Sequence, residues 1–103
     1  MVAVSILNVT PEHKLCDPQG RPYFLWDMDL TLEAFRGQLA MGSRTVRAWL
    51  VGKLLRQAKP DDVFQFVTRE QIQDLWPDLV RYLGRSRAFW AWLMEGWGFP
   101  VHD

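Results

Sequence analysis

Residues 43–60 read SRTVRAWLVGKLLRQAKP, and the fold class turns on how they are read. Ser43 is a residue type whose side-chain oxygen caps a helix start. Behind it Val46, Leu50, Val51, Leu54 and Leu55 recur at three- and four-residue spacing, which is the period of one helix face. A helix over roughly residues 44–58 is therefore predicted, closed ahead of Pro60. Upstream, Met41-Gly42 breaks the pattern. Before the break, Leu32, Phe35 and Leu39 keep helical spacing to about Ala40, with Asp29 or Thr31 as the cap. Downstream, Pro60-Asp61-Asp62 opens a short helix carrying Val63, Phe64, Phe66 and Val67. Thr68 and Gln71 have capping-box spacing. They introduce Ile72, Leu75, Trp76, Leu79, Val80 and Leu83 on one face, in a segment that Pro77 should kink or split. Gly84 stops it. Ser86 is expected to cap a last helix over 87–97, with Phe89, Trp90, Leu93, Met94 and Trp97 inward.

The N-terminal stretch reads differently. Residues 2–9 (VAVSILNV) are short and β-branched, and Asp17-Pro18-Gln19-Gly20 is a turn signal followed by aromatics at Tyr23 to Trp26. The expected architecture is mainly α: a compact bundle of about five short helices, with a small extended or hairpin N-terminal segment. A single domain over 1–103 is expected, an arm over 1–28 and the bundle over 29–98. Trp26, Trp76 and Trp90 are expected in the core.

Composition narrows the function. Hydrophobic residues make up 49% and charged residues 23% of the 103, values of a folded domain rather than a disordered one. The chain carries six Trp, too many to be central in so small a core, so one or two are expected on a functional rim. Twelve basic residues balance twelve acidic ones, which disfavours a dedicated nucleic-acid binder. The single cysteine, Cys16, cannot form an internal disulfide. No stretch approaches the roughly 20 apolar residues of a membrane span. A cytoplasmic location is expected, with no membrane partner.

Catalytic spacings are sparse. Tyr23 to Leu32 read YFLWDMDLTL, an apolar run followed by D-x-D-x-T, which resembles the first motif of the haloacid-dehalogenase phosphatases. There Asp27 would be the nucleophile and Asp29 the acid/base. That chemistry also needs a later Lys and a metal-binding acidic pair, but no Lys follows Thr68, and Asp61-Asp62 precede it. Helix capping accounts for the same letters. His13, His102 and Cys16 have no zinc spacing, and no glycine-rich phosphate loop is present. The expectation is a chain that is not an enzyme, with no catalytic residue, metal or cofactor.

One charge asymmetry remains. Between Ala34 and Lys59 lie Arg36, Arg44, Arg47, Lys53, Arg56 and Lys59, with no acidic residue, while Asp61, Asp62, Glu70, Asp74 and Asp78 follow. Intramolecular ion pairing between the two groups is one reading. The other is a docking surface. Trp49, Lys53 and Arg56 fall at i, i+4 and i+7, away from the apolar face, and Trp and Arg dominate binding hot spots. Trp92, on the edge of its own stripe, is the fourth expected contact. The partner expected from this pattern is a protein; a nucleic acid contacted through the basic 34–59 segment is the alternative.

The order YFLWDMD, an apolar helix (VRAWLVGKLLRQAKPDD), EQI and SRAFWAWL resembles a family of short helical bacterial proteins encoded beside nucleotidyltransferase-type toxins. Members typically carry an F-W-D-x-D start and a Ser-x-x-F-W near the end. Leu25, Trp26, Asp27 and Asp29 match the start, and Ser86, Phe89 and Trp90 match the end, within a likeness over about residues 23–94. The N-terminal 22 residues do not align. The resemblance implies an antitoxin or toxin-associated regulator.

Overall fold

The computed structural model describes residues 9–101, so most of the β-branched stretch 2–9 lies outside the described residues. Six α-helices order the rest: α1 Glu12–Leu15, α2 Leu32–Met41, α3 Arg44–Gln57, α4 Pro60–Val63, α5 Arg69–Leu79 and α6 Arg87–Gly96. Three 3-10 turns, Tyr23–Leu25, Val80–Tyr82 and Gly84–Ser86, join them. Among the described residues there is no strand, only an isolated antiparallel bridge between Cys16 and Pro22. The mainly α fold is as expected. In the described part of the N-terminal segment α1 leads into a tight turn: Gly20 adopts φ +82°, and the Asp17 carboxylate accepts from the amides of Gln19 and Arg21. No described helix is long and apolar enough to cross a membrane.

Helix starts follow their caps. Ser43 accepts from Val46 N–H, and Thr68 and Gln71 close both halves of the capping box. For α2 the cap is Thr31, which accepts from Ala34 N–H; Asp29 takes no part and its side chain is 94% exposed. Ser86 does not cap α6. Its hydroxyl donates back to Leu83 C=O, the carbonyl that also accepts the Ser86 N–H, a local back-bond that competes with capping. Pro77 does not divide α5, which runs two residues beyond it to Leu79.

Helix α3 is the axis. It packs against α2, α4, α5 and all three 3-10 turns, and it buries Leu50, Val51, Gly52, Lys53, Leu54 and Leu55 in unbroken succession. Six consecutive residues at about 100° each sweep the whole circumference, so the middle of α3 is enclosed on every side. Gly52 shows how closely: a Cβ there would sit 2.7 Å from Tyr82 Cβ.

The far end of α3 is tied from two directions. Lys59 N–H donates to the Tyr23 hydroxyl rather than to the carbonyl four residues back, and Leu55 C=O accepts from the Trp90 indole at 2.8 Å. Such last-turn carbonyls need outside donors, and here α6 supplies one. Phe24, Phe35 and Phe66 form a mutual edge-to-face cluster with every centroid separation 5.4 Å. This locks the 23–25 turn to α2 and to the loop after α4. Phe64, two residues from Phe66, turns instead to Trp90 and Trp97.

Asp62 is fully buried yet well satisfied. It accepts from Thr10 N–H and hydroxyl, the Tyr23 hydroxyl and the Gln65 amide. Burial pushes its carboxyl up, but the hydrogen bonds from Thr10 and Tyr23 outweigh it, leaving the pKa below the ordinary carboxylate value. The same burial and hydrogen bond raise the Tyr23 phenol.

Candidate binding surface

Trp49 and Lys53 lie one turn apart on α3, with the ammonium 5.7 Å from the indole centroid. The structure brings these two expected contacts together, but Lys53 is not a free surface cation. It is 6% exposed, and its Nζ donates to Asp27 Oδ2 at 2.6 Å. The expected stripe assumed that positions off the apolar face stay in water; the segment after the 23–25 turn lies over α3 and covers this one. Gln57 adds a longer hydrogen bond to the same oxygen. The Lys53 hydrogen bond holds the Asp27 carboxyl below its usual range against the opposing effect of partial burial.

This pair disperses the D-x-D-x-T letters. Asp27 belongs to Lys53, Asp29 stands in solvent 3.7 Å from Arg21, and Thr31 caps α2. The two carboxylates have different partners. Among the described residues no group of three His, Cys, Asp or Glu side chains could hold a metal ion. Cys16 is half-buried beside the turn, and that burial raises its thiol pKa.

Trp26 corrects the expected core. It is 75% exposed while Phe24 and Leu25 are fully buried. The 3-10 turn Tyr23–Leu25 carries Phe24 and Leu25 into the bundle, and Trp26 follows as its C-cap with the indole in water. The run of apolar letters concealed this. Because Asp27 is anchored to Lys53, the neighbouring indole is presented from a fixed backbone. Trp76 and Trp90 are buried as expected, at 2% and 1% exposed.

Of the remaining expected contacts, Arg56 is exposed on the Trp49 side of α3 and Trp49 itself is half-exposed. Trp92 is 68% exposed. It shares an outer face of α6 with Phe89, three residues earlier, which was expected to point inward and is 45% exposed. Trp97, also expected inward, sits at the rim with Arg69 stacked 4.4 Å from its centroid. No ring or cation–π contact joins Trp92 to Trp49 or Arg56 among the described residues. The structure therefore presents a Trp26/Trp49/Arg56 region and a Phe89/Trp92 face.

The basic run is partly spent inside the molecule. Arg44 pairs with both Asp74 and Asp78, as the ion-pairing reading expects, and Lys53 is held by Asp27. Comparison with protein-family models, curated proteins and solved structures finds no significant match.

Proposed function

We propose that the chain is a non-catalytic protein-binding module, and that it serves as the antitoxin or regulatory partner of a cytoplasmic nucleotidyltransferase-type toxin. The observation that carries the binding reading is the exposure of Trp26 and Trp92 on well-anchored elements. Each leaves on the order of 150 Å² of apolar surface in water, about 3–4 kcal/mol of burial that folding does not collect. A partner with apolar pockets collects it on binding. Arg56 and Arg85 are exposed, with no carboxylate partner among the described residues, and favour an acidic rim on that partner. The toxin assignment rests on the likeness of residues 23–94 to the antitoxin-like family.

The test is inhibition. A nucleotidyltransferase-type protein encoded beside this chain should lose nucleotidyl transfer when an equimolar amount of the chain is added. Full transfer activity in the presence of excess chain would contradict the toxin assignment. Tight binding to random duplex DNA that weakens steeply with salt would favour the nucleic-acid alternative instead.

A further inference from the structure

We infer that the cleft between α2, α3 and α5 is a binding site for a small organic carboxylate with an apolar body. The cleft has a volume of about 290 Å³ and is walled by those helices and the loop after α4. Its floor includes Val51, Val67 and Leu75, all buried aliphatics. Arg36 from α2 and Arg47 from α3 also line it, and none of the lining residues is acidic.

The state of the two arginines makes this more than an apolar dent. Asp74 and Asp78 on α5 are committed to Arg44. Neither Arg36 nor Arg47 has a carboxylate partner among the described residues. Arg36 is also held in place, its guanidinium lying 4.9 Å above the centroid of Phe66, a ring fixed in the Phe24/Phe35/Phe66 cluster. A guanidinium presents a planar fork that matches a carboxylate. Two unpaired forks above an aliphatic floor therefore select a ligand with a negative head and a greasy body.

Size sets the body. A dry cavity of about 150 Å³ accommodates benzene, so this cleft has room for a ring with a short chain, near the lower bound of small-molecule sites. A free acid and the C-terminal carboxylate of a peptide ending in an apolar residue share this chemistry. The site is independent of the Trp26/Trp49 surface: Arg47 and Trp49 lie two residues apart on α3 and so point about 160° apart.

The experiment is a titration of the full chain with phenylbutyrate, with phenylbutanol as its neutral counterpart, and with an acetylated glycyl-glycyl-phenylalanine peptide. Methyl chemical shifts of Val51, Val67 and Leu75 are followed by NMR. Phenylbutyrate is expected to move these methyls with a dissociation constant in the millimolar range or tighter, and phenylbutanol to bind about tenfold more weakly. Tighter binding of the peptide than of phenylbutyrate assigns the site to a chain terminus, and the reverse order to a free acid. Arg36→Gln and Arg47→Gln should each weaken phenylbutyrate about tenfold, with unchanged circular dichroism. The inference is overturned if the cleft methyls do not respond to either carboxylate, or if acid and alcohol bind equally. Arginine variants that bind phenylbutyrate like wild type would overturn it too.

Discussion

Helices α3 and α6 are both rich in apolar residues, yet one is enclosed and the other is a flank. The middle of α3 is buried all round, a lysine included, whereas the buried residues of α6 are Trp90 and Met94. The difference lies in neighbours rather than letters. A helix packed by elements on every side buries whatever its sequence places there, and a flanking helix leaves large aromatics wet. Burial on α3 therefore reports packing, while α6 and Trp26 leave aromatic surface in water.

The strongest way to break this contrast is to truncate one tryptophan on each side of α6. Trp90→Ala removes a buried indole and the hydrogen bond to Leu55, and should cost about 3–5 kcal/mol in urea denaturation. Trp92→Ala should change stability by no more than about 0.5 kcal/mol. Equal losses would erase the distinction between the two faces.

Next in size is the pair that covers α3. Asp27→Asn leaves the buried Lys53 ammonium without its carboxylate, and should cost about 2 kcal/mol, less than a fully buried pair because Asp27 keeps contact with water. An unchanged urea midpoint would show that the 26–28 segment is held by something else.

A glycine pair sharpens the comparison further. Gly52→Ala drives a methyl against Tyr82 Cβ and should destabilise by about 1–3 kcal/mol. Nothing lies within 4 Å of a Cβ at Gly96, so Gly96→Ala should be neutral or stabilise by up to about 1 kcal/mol. Destabilisation at Gly96 would mean that α6 is more enclosed than described.

The smallest effect is on pH dependence. Asp27 and Asp62 both have lowered pKa values, so their stabilising contribution is present above the unfolded carboxylate value near about 4 and is lost as pH falls through the folded values. Melting temperature should drop on that acid limb. The limb should flatten in Tyr23→Phe, which removes a hydrogen bond holding Asp62 down. An acid limb identical in the two proteins would remove Asp62 from this role.

Local chemistry was legible from the letters. The caps at Ser43 and Thr68, the turn at Gly20 and the buried Trp76 and Trp90 need only residue type and spacing. What stayed hidden depends on partners far along the chain. Asp62 meets Thr10 across 52 positions and Tyr23 across 39, and no local pattern announces either contact. Lys53 and Trp26 were misplaced for one shared reason: the segment that follows the first 3-10 turn lies over α3, burying the cation and pointing the indole outward. Of the proposed binding surface, Trp49, Arg56 and Trp92 were readable as off-stripe residues, whereas Trp26 was not.

The most direct test of the proposed binding role is the affinity of the proposed partner, a nucleotidyltransferase-type protein encoded beside this chain, for wild type and for the Trp49→Ala/Arg56→Ala double variant, measured by calorimetry alongside a urea melt. Binding should weaken about 30-fold, a hot-spot loss of about 2 kcal/mol, with the fold intact. A double variant that binds as tightly as wild type, or one that unfolds, would contradict a docking surface at Trp49 and Arg56.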